Sequence, residues 1–214
     1  LFYVVFQWGY YKDHLAEIFN IRKGGLAIYG GIIAAVITLI VFTRKRKLSF
    51  LSMADSACLG LVTGQIIGRW GNFMNCEAFG GYTDSLFAMR IKRSIVNESM
   101  ISQELLEHLI TENGIEYIQV HPTFLYESLW NFGLLMFMLW FRKRKTFTGE
   151  MLCIYLTGYG IGRAWIEGLR TDSLLIPGTG IAVSQALSVV LATVSLVVLI
   201  YHRRKAFAQG KEAN

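Results

Sequence analysis

Five long apolar runs, separated by polar segments, organise the chain: about 26–43, 50–67, 122–141, 149–166 and 180–201. Each is long enough to cross, or nearly cross, the hydrocarbon core as a helix. Lipid leaves no water to pair exposed backbone groups, so only helices or a closed barrel can span it, and these runs are too long and too continuously apolar for barrel strands. The pattern therefore predicts an all-α, polytopic helical membrane protein, a single integral membrane domain over 1–214. The second run carries Asp55, Gln65 and several small residues, which suits a helix packed against other helices. The longest polar stretch, about 72–120, predicts a small extracytoplasmic cap. Within it the spacing of Ile101, Leu105, Leu106 and Leu109 predicts a short amphipathic helix.

Composition agrees with the pattern: 53% of residues are hydrophobic and 14% aromatic, with two prolines and a mean hydropathy of +0.41. Ahead of the first run, Leu1 to Trp8 is apolar but too short to span, and the chain begins with Leu1 and has neither a charged n-region nor a small-residue cleavage pattern. It is expected to be a piece lacking its native N-terminus and further spans. The net charge is +6. The basic residues cluster at Arg44 to Lys47, Arg142 to Lys145 and His202 to Lys205, after the first, third and fifth runs. That is the form of a topology signal, not of a nucleic-acid face, and it places all three clusters in the cytoplasm. Residues 9–25, 68–121 and 167–180 then lie outside. Cys58, Cys76 and Cys153 stand singly, with no pairing or zinc spacing, so no metal and no cofactor is expected.

The polar residues that can carry chemistry converge on that outer side. Gly68 to Gly81 combines Arg69, Asn72, Asn75, Glu77 and Gly80 at the end of an apolar run. Arg69 offers a planar fork of donors to a phosphate or carboxylate, the amides donate and accept, and glycines admit close backbone approach. The same residues also suit an ordinary interfacial loop. His121-Pro122-Thr123-Phe124-Leu125-Tyr126-Glu127 opens the third run; proline suits a first turn, and His121 is either a structural group or a general base. Tyr159, Arg163, Glu167 and Arg170 recur at three- and four-residue spacing and share one helix face. They form either a self-neutralised ion pair or the lining of a polar cavity.

The run from Gly68 to Gly80 resembles the G-R-x-G-N-F-x-N-x-E-x-[aromatic]-G motif of prolipoprotein diacylglyceryl transferases, matching every specified position. The H-P-x-x-x-Y-E run at His121 and the Y-x-x-x-R-x-x-x-E-x-x-R run from Tyr159 are similar to further family patterns. One departure stands out. Where the family reads G-G-x-x-x-H-G-G, this sequence has Tyr29, otherwise an ordinary interfacial tyrosine.

The resemblance implies an enzyme of the bacterial plasma membrane, with its active site facing the outer leaflet. It would move the diacylglyceryl group of phosphatidylglycerol to the lipobox cysteine thiol of a prolipoprotein, the first step of lipoprotein maturation. Its partners would be phosphatidylglycerol, the precursor's signal peptide and membrane lipid, with no nucleic acid. It implies catalytic roles for Tyr29, Arg163 and Glu167 and substrate contacts for Arg69, Asn72, Asn75, Glu77, Gly80 and Tyr159, with His121 and Arg170 as further candidates. Glu77 and Glu167 would hold the arginines in place. A transporter or channel for an anionic solute, or an inactive truncated relative, would share the same arginine-rich helix ends.

Overall fold

The computed structural model describes Lys12, residues 28–171, Ile176 and residues 179–212; the side chains of Ile28, Tyr29 and residues 210–212 fall outside that description. The chain divides into two compact units, Leu1–Met53 and Ala54–Asn214. The described part of the first contains α1 (Ile28–Arg46) and the opening turn of α2 (Phe50–Met74). Arg44, Lys45 and Arg46 occupy the last turn of α1, where cations complement the helix dipole.

In the second unit α2 continues, followed by a cap and then by α4 (Thr123–Phe141), α5 (Glu150–Glu167) and α6 (Val183–Glu212). Among the described residues three helices are long and apolar enough to cross a membrane: Phe50–Met74, Thr123–Arg144 and Val183–Gln209. Helix α5 is not among them, since its 18 residues include Glu150, Arg163 and Glu167. It packs closely on α6. A Cβ at Gly160 would lie 2.7 Å from the Ser188 carbonyl oxygen, so glycine sets how near the two backbones come.

Helices α2, α4 and α5 bury Cys58, Val62, Met138, Phe141, Met151, Ile154 and Tyr155 in a common core. The N-terminus of α5 is capped from another helix. Asp55 of α2, 4% exposed, accepts from the Gly149 and Leu152 N–H groups at 2.9 and 3.0 Å and from Lys145 Nζ at 3.3 Å. The polar residue in the second run is thus a cap in trans for helix donors that have no intrahelical partner.

The cap differs from the expected amphipathic helix. Besides two 3-10 turns, Arg93–Ile95 and Glu98–Met100, a single α-helical turn, Gln103–Glu107 (α3), is present among its described residues, with Ser102 Oγ accepting from the Leu105 N–H and Leu105 fully buried. Around it stands a three-stranded antiparallel sheet of β1 (Met89–Lys92), β2 (Ile110–Glu112) and β3 (Ile115–Val120), in the order β1-β3-β2. Asn113 and Gly114, at φ of 50° and 74°, turn β2 into β3, the Asn-Gly signature of a two-residue hairpin. Leu109, assigned to the helix by spacing, instead packs on the cap core of Phe79, Ile91, Val96, Leu105, Ile118 and Val120. The protein is largely helical, with this sheet as its one β element among the described residues.

Candidate active site

The helix α2 runs past its apolar stretch to Met74, so Arg69 and Asn72 sit on its last turns and only Asn75 to Gly81 form the following loop. Helical placement fixes the direction of Arg69, which points at Glu127 on α4. Glu127, 3% exposed, is the centre of the site: its Oε1 lies 3.0 Å from Arg69 Nε and its Oε2 3.0 Å from Arg163 Nη1. Arg163 also meets Glu167 one turn on, Nη2 to Oε2 at 2.5 Å, and Arg170 Nη1 stands 3.7 Å from the same oxygen. Ser184 of α6 donates to the other Glu167 oxygen at 2.6 Å. Four helices, α2, α4, α5 and α6, and the turn after α5 therefore meet at two carboxylates.

The asparagines attach to this group through Arg69. Its Nη1 donates to Asn72 Oδ1 at 3.3 Å, and Asn72 and Asn75 each donate to Glu77 Oε1 at 3.1 Å. Glu77 thus holds the two amides, not an arginine as its expected role had it; the carboxylate holding Arg69 is Glu127. Residues Cys76 and Ala78 on either side of Glu77 have φ of 52° and 57°, an uncommon left-handed conformation for side-chain-bearing residues. Such backbone persists where its surroundings hold it, and here Thr123 Oγ1 donates to the Ala78 carbonyl.

Gly80 ties the loop to both neighbouring segments. Its N–H donates to the His121 carbonyl and the Gly81 N–H to the Leu169 carbonyl, both at 3.0 Å. A Cβ at Gly80 would lie 2.7 Å from His121 Cβ and 2.8 Å from Leu169 O, so only glycine fits. His121 serves this junction. Its ring Nδ1 is 3.3 Å from the Tyr126 hydroxyl, and none of its described contacts reaches the arginines. Tyr159, one turn before Arg163, stacks on Tyr155 at 5.7 Å, whose hydroxyl accepts from Gln65 at 2.8 Å. The backbone of Tyr29 lies in the first turn of α1, and the side chain expected to act there is outside the description.

Arg69, Asn72, Ala78, Thr123, Phe124, Glu127 and Arg170 line a small crevice. Three guanidinium groups, Arg69, Arg163 and Arg170, face two carboxylates, Glu127 and Glu167, which leaves one net positive charge. Arg69 and Arg163 are largely buried, at 17% and 14% exposure, where screening by water is weak. The arrangement suits a phosphate: oriented donors of net positive charge held from several directions. In sequence Glu127 reads, like His121, as a structural group of the run that opens α4; its contacts with both arginines come from the packing of three helices.

Fold and side-chain geometry together define a helical membrane protein with a cluster of three arginines and two carboxylates at one end of its helices. The sequence pattern of the family described as prolipoprotein diacylglyceryl transferase matches residues 1–201. Similar curated proteins include the phosphatidylglycerol–prolipoprotein diacylglyceryl transferase of Geobacillus kaustophilus, 43% identical over 210 residues, covering 98% of this chain and 73% of the relative. Those named identically from Bacillus cereus and Bacillus mycoides are 42% identical over 211 residues, covering 99% of this chain and 73% of each relative. The chain belongs to the prolipoprotein diacylglyceryl transferase family, and it is a membrane transferase of bacterial type.

Proposed function

We propose that the protein transfers the diacylglyceryl group of phosphatidylglycerol to the thiol of the lipobox cysteine in a prolipoprotein, in the bacterial plasma membrane. The sulfur forms a bond to the glyceryl carbon while the carbon–oxygen bond to phosphate breaks. Glycerol phosphate leaves, and the thiol proton passes to a base or to the departing phosphate. The observation that carries this reading is Glu127 clamped between Arg69 and Arg163. Positioned guanidiniums stabilise the charge that grows on a leaving phosphate, and fixed donors need no reorganisation as it develops. In this reading Arg69 and Arg163 hold the phosphate, Asn72 and Asn75 orient the headgroup, Glu127 and Glu167 aim the arginines, and Tyr159 and Arg170 close the sides. Tyr29, at the family histidine's position, would take the thiol proton; an unperturbed phenol pKa near 10 means that it needs nearby positive charge to do so.

In this reading the five apolar runs cross in alternation with the three basic clusters inside, so the site would lie at the outer leaflet, where an exported precursor emerges. An anion transporter would need a polar route to the other end. Between Asp55 and Glu150 at one end and Arg69 and Arg163 at the other, the helices bury Cys58, Val62, Met138 and Ile154 against one another, which disfavours that reading.

The test is transfer of labelled diacylglyceryl from phosphatidylglycerol to a lipobox peptide in membranes containing the full chain. Lipidated peptide is expected from wild type, with strong loss in Arg69→Lys, which keeps charge but not the bidentate fork. Wild-type transfer by Arg69→Ala would remove the assignment.

A further inference from the structure

The loop that joins Tyr82 to β1 carries the most exposed large apolar side chain of the cap: Leu86 is 94% exposed and its neighbour Phe87 63%. Both ends of this loop are pinned at one level, because Tyr82 and Met89 each pair with Val120 of β3. Gln119 Nε2 donates to the Thr83 carbonyl at 2.8 Å, and Ser85 accepts from the Ala88 N–H at 2.9 Å. The loop is therefore a built turn with an apolar tip. Val120 precedes by three residues Thr123, the first residue of a helix apolar enough to cross a membrane. Three residues reach about 10 Å at most, comparable with the headgroup layer, which is roughly 5–8 Å thick on each side of the hydrocarbon core. The same depth is marked on the helices by an aromatic group: Phe124 packs against Trp70 and Phe73 at 5.3 and 4.7 Å, and Trp70, Phe73 and Met74 remain 46%, 38% and 75% exposed. Tryptophans such as Trp70 are enriched at membrane–water boundaries.

We propose that Leu86 and Phe87 insert into the lipid leaflet beside the active-site end of the helices, so that the cap rests on the bilayer through a two-residue apolar anchor. The occupant is lipid because the loop's pinned ends lie at Val120, within three residues of the start of α4, a helix whose exposed apolar side chains such as Leu129, Phe132 and Met136 face lipid. Leucine and phenylalanine on a polar scaffold favour the boundary between headgroups and acyl chains. The anchor would hold the cap, and through Gly80 and Gly81 the asparagine loop, at the level where a phospholipid headgroup enters. The insertion itself rests on the membrane reading alone and stands whether or not the transfer reaction is found.

A photoreactive benzoylphenylalanine placed in turn at Leu86, Phe87 and Ile115 of the full chain tests this in vesicles of phosphatidylethanolamine and acyl-tritiated phosphatidylglycerol. Ile115 is 39% exposed and sits beside the Asn113–Gly114 turn at the far end of β3, so it reports a cap surface away from lipid. The expected result is a tritiated lipid adduct several-fold above the Ile115 level at position 86 or 87; should the variant at 86 fail to insert, position 87 carries the same test. An adduct no greater than at Ile115 would overturn the proposal. So would loss of the lipid adduct in favour of a peptide adduct when lipobox peptide is added, since the tip would then be a precursor-docking surface.

Discussion

Replacing Glu127 by glutamine removes one charge while keeping the shape of the side chain that joins two arginines. The amide has one acceptor oxygen and one donor nitrogen. It can keep one of the two 3.0 Å contacts, to Arg69 Nε or to Arg163 Nη1, but must turn a donor toward the other guanidinium. Oε2 accepts a hydrogen bond from Arg163, whereas Oε1 makes only an ion pair with Arg69; with the amide nitrogen turned to Arg163, a hydrogen bond to a charged group is lost, worth about 1.5–3 kcal/mol. If the lost arginine acts on the leaving phosphate, the rate falls by about 10- to 150-fold at 1.36 kcal/mol per decade. The charge balance moves the other way. With one carboxylate of two removed against three guanidiniums, the net charge rises from one positive to two, so affinity for an anionic lipid should not fall. The expected signature in the peptide-lipidation assay is a reduced maximal rate with an unchanged or lower half-saturating phosphatidylglycerol concentration, at equal protein in the membrane. An unchanged maximal rate with a higher half-saturation would refute the reasoning, since Glu127 would then support binding and not the orientation of the arginines in the reaction.

Three further outcomes are expected. Gly80→Ala forces a methyl group against His121 Cβ and the Leu169 carbonyl; overpacking of this kind costs about 1–3 kcal/mol and should lower both the thermal midpoint and transfer, whereas Gly31→Ala, in helix α1 with nothing within 4 Å of its Cβ, should leave the midpoint unchanged or raise it, since alanine favours a helix over glycine. Single cysteines at Ser99 and Lys143, both exposed, should react with an impermeant thiol reagent from outside and from inside respectively, and labelling of both from one side would refute the five-crossing topology. Tyr29→Phe, which removes only the hydroxyl, should abolish lipidation, and Tyr29→His should restore part of it with a rate limb near pH 6.5; full activity in Tyr29→Phe would move the base elsewhere.

The membrane class, the helix order and the convergence of polar residues on one side were legible in sequence, because apolar run length and the placement of basic clusters are local properties that lipid reads segment by segment. The motif residues were legible as a set for the same reason: Arg69, Asn72 and Glu77, or Arg163 and Glu167, lie close along the chain. The cap shows where local reading chose between competing periods. The spacing of Leu105 and Leu106 fits a helix, and α3 forms there but ends at Glu107; the hairpin that follows turns at Asn113-Gly114 and packs Ile118 and Val120 in one core with Leu105. What only the tertiary structure decided is which charges meet. Arg69, Glu127 and Arg163 lie on three different helices, and Asp55 caps a helix almost a hundred residues away. Such pairings depend on the rotation and depth of each helix in the packed bundle, set by side chains such as Val62, Met138 and Ile154 in the shared core and not by the spacing of residues along any one helix.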